Sequence, residues 1–202
     1  MLITNDSHDS VEADAGKSAR GRRRTEYEYK KTDSSHLSEK IYLRAEYSPS
    51  GPLSVLDAYG GKGVIWREVG KLRNVENYIS IEKEKGKNPQ ALCGDNAKIL
   101  PRLDLSTYNV IDLDAYGCPV AQIEAVLKNP TLKKGTVIFV TWILAGIAKA
   151  PYKAAEYIGV TPQMIKKAQY LFVPLMVDAL RAILAAHGIR EWKYYEHADI
   201  GM

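Results

Sequence analysis

Val55-Leu56-Asp57-Ala58-Tyr59-Gly60-Gly61-Lys62-Gly63 is an apolar run that ends in an acid, passes an aromatic residue and enters a glycine-dense turn. Val64-Ile65-Trp66 follows at once, so the stretch predicts strand, tight loop, helix. Gly61 and Gly63 can take positive φ or admit a ligand against the backbone, both of which a Cβ resists. In an open α/β sheet, ligands bind in the loops at the carboxyl ends of the strands. Asp57 stands at such an end, where its carboxylate can accept from an amino or hydroxyl group. Two other glycine motifs fit poorly. A P-loop needs Ser or Thr after its lysine, and Lys62 is followed by Gly63; the dinucleotide fingerprint needs a third glycine where Trp66 stands. An ordinary βα turn is the alternative.

Working outward, apolar runs alternate with helical patterns. Val64 to Leu72 reads as the first crossover helix, and Tyr78-Ile79-Ser80-Ile81-Glu82 as a second strand ending in an acid. Glu82 follows Gly63 at close to the ~20-residue spacing at which an acid meets ribose hydroxyls; with Lys83, Glu84 and Lys85 it can equally form a solvated loop. Ala91-Leu92-Cys93-Gly94-Asp95-Asn96 is a short third strand running into Gly-Asp, where Asp95 can N-cap the helix that follows. Tyr108 to Asp114 forms a fourth strand, Pro119 to Leu127 a helix with proline at a harmless early position, and Thr136 to Trp142 a near-continuous apolar fifth strand. The alternation predicts an α/β, Rossmann-like fold, a mainly parallel sheet with helices on both faces.

The flanks are less regular. Residues 1–25 are rich in Ser, Asp, Gly and Arg, with little apolar content to offset their ordering, and read as a disordered basic tail. Within it, Gly21-Arg22-Arg23-Arg24 is either a phosphate-contacting arm or a solubilising segment. Ser34 or Ser35 can cap a helix with Leu37, Ile41, Tyr42 and Ala45 as its stripe, ending before Ser48-Pro49-Ser50-Gly51-Pro52. His36 reads as a capping or surface residue, with a place near the pocket as the alternative. Ile143 to Thr161 mixes Lys149, Pro151, Tyr152, Lys153 and Tyr157, which suits phosphate and base contacts or a plain helical insertion. Pro162 to His187 reads as a long helix, interrupted or bent near Pro174, Gly188 as its C-cap, and Trp192 to His197 as a last strand.

Composition bounds the class. The chain has 202 residues, a formal charge of +4 and two cysteines, Cys93 and Cys118. One domain, here residues 26–202, is the default at this length. No apolar run approaches the ~20 residues of a membrane span, and there is no apolar secretory h-region. The cysteines have neither disulfide density nor metal-ligand spacing, so the expected setting is the reducing cytoplasm, without a metal. A small positive excess with a local basic cluster suggests a polyanionic partner.

Asp57-Ala58-Tyr59-Gly60-Gly61-Lys62-Gly63 resembles the first motif of class I S-adenosylmethionine (SAM) dependent methyltransferases, in its Asp-x-Phe-x-Gly-x-Gly form, with tyrosine for phenylalanine. Asp112-Leu113-Asp114-Ala115-Tyr116-Gly117-Cys118-Pro119 is similar to the Asp-Pro-Phe-Gly-Ser-Pro segment of the tRNA guanine N2-dimethyltransferases, with Ala115 in place of proline. The resemblance spans Val55 to about Tyr195. It implies that Asp57, Tyr59, Gly61, Gly63, Glu82, Asp95 and Asn96 hold SAM, with Glu82 on the ribose and Asp95 or Asn96 on the adenine amino group. It further implies methylation of an exocyclic base amine, in RNA ahead of DNA. Such an amine is a poor nucleophile because its lone pair is delocalised into the ring. Asp114 and the Ala115 carbonyl would accept its two hydrogens and stabilise the developing charge, while Tyr116 stacks on the base. Ala115 loosens the second acceptor, which keeps open a SAM-binding protein that transfers nothing. The tRNA enzymes also carry a C-terminal domain with no counterpart here, so their tRNA specificity is not carried over.

Overall fold

The computed structural model describes residues 2–6, 36–143, 152–168, 175–190 and 192–197. Its strands are β1 (Leu2–Asp6), β2 (Leu53–Asp57), β3 (Val75–Glu82), β4 (Leu92–Cys93), β5 (Val110–Asp114), β6 (Val137–Ile143) and β7 (Lys193–His197). They form one sheet in the order β4-β3-β2-β5-β6-β1-β7, and every pairing is parallel. The helices are α1 (Leu37–Tyr47), α2 (Val64–Val69), α3 (Asn96–Ile99), α4 (Val120–Leu127), α5 (Tyr152–Glu156), α6 (Pro162–Lys167) and α7 (Met176–Ala186).

Period-two alternation along the strands divides the core in two. On one face Val55, Val110 and Phe139 pack against Leu43 of α1 and Trp66 and Val69 of α2. On the other, Leu56, Ile111, Leu113, Ile138 and Val140 pack with Ile123 and Val126 of α4, Ala154 and Ala155 of α5, Ile165 of α6, and Leu180 and Ile183 of α7. Each large apolar side chain among these contributes about 1.5–3 kcal/mol when fully buried. The fold is therefore the expected α/β, Rossmann-like one, with helices on both faces. From β2 the chain builds outward through β3 and β4; it then returns to β5 on the other side of β2, so the strand order reverses there. That reversal opens the crevice in which doubly wound sheets hold ligands.

Local details follow the residues. Gly61 and Gly63 take φ of 46° and 66°, the left-handed region expected of them, and Gly63 is the N-cap of α2. Asp95 caps α3 by accepting from the Ala97 N–H at 3.0 Å. Among the described residues, no helix is long and apolar enough to cross a membrane.

Three expectations are corrected. Leu2–Asp6 is not tail but a strand between β6 and β7; Leu2-Ile3-Thr4 favours extended structure, which averaging over 25 mostly polar residues hides. The rest of the segment, Gly21 to Arg24 included, lies outside the described residues. The buried face of α1 is not the Leu37, Ile41, Tyr42, Ala45 stripe: Lys40, Leu43 and Arg44 are buried, whereas Tyr42 is 61% exposed. The reason lies opposite, where the sheet presents carboxylates that need cations more than α1 needs an apolar face. The residue before α1 is His36 at φ 55°, and its side chain makes no capping hydrogen bond. The expected interruption of Pro162–His187 is present: its described residues form two helices, α6 and α7, while Pro174 itself, like Lys149 and Pro151, is outside the described residues.

Candidate functional site

At the carboxyl ends of β2, β3, β4 and β5 lies a cavity of about 510 Å³, within the range of small-molecule and cofactor pockets. Tyr59 and Gly61 come to it from the β2–α2 turn, Glu82 from the end of β3, Asp95 and Asn96 from the start of α3, and Asp114 and Tyr116 from the end of β5. The topology thus gathers on one cavity seven of the ten residues singled out in the sequence. Asp57, Gly63 and Ala115 are not among its lining residues.

Their places explain why. Asp57 is 5% exposed, and its carboxyl accepts from the Tyr59 N–H at 3.0 Å and the Tyr78 hydroxyl at 3.0 Å. It shapes the glycine turn from beneath. Gly63 faces the Tyr78 ring: a Cβ there would lie 3.3 Å from the Tyr78 hydroxyl. Ala115 is 5% exposed, its N–H bonded to the Leu113 carbonyl at 2.9 Å.

Several lining residues also have structural duties. Glu82 accepts from the Glu84 N–H at 2.9 Å, and Lys87 stands 3.7 Å from its other oxygen. Asn96 donates to the Ala58 carbonyl at 2.8 Å and accepts from Gln122 at 2.8 Å, tying α3 to β2 and α4. Burial pushes the Tyr59 phenol up, a hydrogen bond to Asn96 acting against it. Tyr116 is 76% exposed and lines the cavity, a large ring open to solvent. Burial also pushes the Cys118 thiol up, away from the thiolate a cysteine nucleophile needs.

Beneath the cavity is an ionic layer that sequence reasoning missed. Asp57 and Asp112 are register partners on β2 and β5, and Asp114 follows two residues on, so all three point to the α1 face. Arg44, 1% exposed and stacked 5.5 Å above Phe139, holds Asp112 through two bonds of 2.6 and 2.7 Å, and Trp66 Nε1 donates a third at 2.8 Å. Lys40 Nζ lies 3.0 Å from Asp114 Oδ1 and 3.2 Å from Oδ2, with Arg44 3.6 Å from Oδ1. The contact to Oδ1 is ionic only, since that oxygen makes no hydrogen bond. Lys40 and Arg44 occupy one face of α1 at i, i+4 beside Leu43, and Asp112-x-Asp114 one face of β5. That charge complementarity was the available signal.

The charges sort themselves physically. Burial alone would raise Asp114, but Arg44 and Lys40 outweigh it and hold the carboxyl below its ordinary range. Burial raises Asp112, with Arg44 opposing. The hydrogen bonds of Asp57 among the described residues come from the neutral Tyr59 N–H and Tyr78 O–H; burial, then repulsion from Asp112 and Asp114, pushes it up to about 8. Two cations meet three acids, and Asp57 keeps its proton.

No protein-family model matches the chain, and no curated protein sequence matches it. Fold and site therefore define the class: a Rossmann-like α/β protein with a cavity at the strand-order reversal, an acid at its floor and an exposed aromatic ring at its mouth.

Proposed function

We propose that the chain is a SAM-dependent methyltransferase acting on an exocyclic amino group of a nucleic-acid base, in RNA ahead of DNA, and that it works in the cytoplasm. The observation that carries this reading is the convergence of Gly61, Glu82, Asp95, Asn96, Asp114 and Tyr116 on a single cavity of cofactor size. Those residue types suit the cofactor: an open turn for a close-lying chain, a carboxylate for ribose hydroxyls, an acid and an amide for an adenine edge. Bound there, SAM would supply an electrophilic methyl group.

The remaining chemistry belongs to the protein. Asp114, which lines the cavity, accepts a hydrogen of the target amine, drawing the nitrogen toward tetrahedral geometry and countering the charge that develops on it, whereas Ala115, the second acceptor that the resemblance implies, is not among the lining residues. Tyr116 stacks on the base and restricts its approach to one direction. RNA takes precedence because the Asp112-to-Pro119 segment resembles that of the tRNA enzymes, and the basic Arg22-Arg23-Arg24 run would contact phosphates.

A second reading rests on one observation. Lys40 already holds both oxygens of Asp114, an arrangement equally suited to a SAM-binding nucleic-acid interaction protein that transfers nothing. Labelled SAM, supplied with separate pools of total tRNA, ribosomal RNA and unmethylated DNA, separates the two. A methylated amino base in an RNA pool, abolished in Asp114→Ala, is the expected result. SAM binding without label in any pool overturns the transferase reading.

A further inference from the structure

Asp114 lies under an unusual set of charges for a group that must receive an amine. From α1 come Lys40 and Arg44, from its own strand Asp112, from β2 Asp57, and from β6 the neutral Thr141. Arg44 is committed to Asp112 by two short bonds and reaches Asp114 only at 3.6 Å. Lys40 alone approaches both Asp114 oxygens at 3.0–3.2 Å, with its side chain 11% exposed and outside the set that lines the cavity. The two residues are 74 positions apart in the chain, so the pair exists only because α1 lies across the end of β5.

Resting on the reading of Asp114 as the amine acceptor, we propose that Lys40 is a positioning residue of the chemical site, its ammonium fixing the charge and direction of the Asp114 carboxylate from outside the cavity. Two consequences give Lys40 this role rather than simple packing. Asp112 and Asp57 flank Asp114, and without a cation of its own it would share one guanidinium with Asp112 and be drawn toward protonation; a protonated carboxyl donates, and cannot accept the amine hydrogen from that oxygen. Oδ1 is buried, 3.0 Å from the ammonium and without a hydrogen bond of its own, so the ionic contact with Lys40 is what holds that oxygen and with it the direction of the carboxylate.

The test compares wild type, Lys40→Met and Lys40→Arg in the full chain. Three quantities are measured: SAM affinity by calorimetry, the pH dependence of methyl transfer, and the titration of the Asp114 carboxyl by carbon-13 NMR, assigned against Asp114→Asn. Lys40→Met should leave SAM affinity unchanged, slow transfer by roughly 10- to 100-fold, and move both the acidic limb and the Asp114 titration up by about one pH unit or more. Lys40→Arg should restore all three toward wild type. If Lys40→Met does not fold, Lys40→Gln, which keeps a donor without charge, takes its place. An Asp114 titration and an acidic limb that do not move overturn the inference. Absence of transfer by wild type instead overturns the transferase reading, and the NMR titration then still decides whether Lys40 governs Asp114.

Discussion

Asp57 shows how one residue can be legible by position while its contacts are decided by the fold. Its place at the end of β2 is evident from the glycine turn, but its carboxyl accepts from Tyr59 and Tyr78 and forms no salt bridge among the described residues. With a folded value of about 8 against about 3.9 when unfolded, it is neutral in both states below pH 4. Between pH 4 and 8 the unfolded chain releases the proton that the folded chain keeps, so stability falls as pH rises, by at most about 1.4 kcal/mol per pH unit. Above 8 the slope disappears. Asp57→Asn should remove this decline and be the more stable protein at pH 8–9, as urea denaturation across pH will show; curves that stay parallel would place the proton elsewhere. Glu82 is the converse case, partly buried and lining the cavity. On the proposed SAM-binding reading, Glu82→Ala should weaken SAM binding by roughly 10- to 100-fold, since charge-assisted hydrogen bonds are removed, measured by calorimetry with thermal melting as the folding control.

At the scale of elements, α1 is the instructive one. Its sequence offers a weak apolar stripe, and it is held instead by the Arg44–Asp112 pair with Leu43 alongside. Removing one partner of a buried pair leaves the other uncompensated, so Arg44→Met should cost about 3–5 kcal/mol. Arg44→Met combined with Asp112→Leu should recover much of that deficit in the same denaturation experiment. Equal destabilisation in the single and double variants would show that Arg44 acts through Phe139 rather than Asp112. The β2–α2 turn has its own constraint at Gly60, where a Cβ would come 2.4 Å from Ser80 Cβ on β3. Gly60→Ala should therefore push the turn off the sheet at a cost of about 1–3 kcal/mol and lower SAM affinity with it.

For the whole molecule, the reversal of strand order between β2 and β5 collects residues far apart in sequence onto one cavity. Nucleic-acid binding is the proposed reading that concerns the chain as a whole, since its net charge is small and one local cluster, Lys17 to Arg24, is strongly basic. Replacing Arg22, Arg23 and Arg24 by alanine should weaken RNA binding and lower the slope of log K against log salt by about 0.7 for each phosphate no longer neutralised. A slope equal to that of wild type would remove the segment from the interface.

The sequence by itself determined the alternation of strands and helices, the glycine turn after β2, and which residues stand at the strand ends. Those features are local: apolar period, glycine φ and strand-end acids are written within a few positions of each other. Even the misread strand at Leu2–Asp6 had a local signal, too short to survive averaging with the polar residues after it. Tertiary structure alone decided that Asp57 and Gly63 lie behind the cavity rather than in it, and that Lys40 and Arg44 face three carboxylates. A lysine and an arginine on a short helix ordinarily point to water, and only the buried acids of β2 and β5, brought opposite by the fold, make their burial favourable.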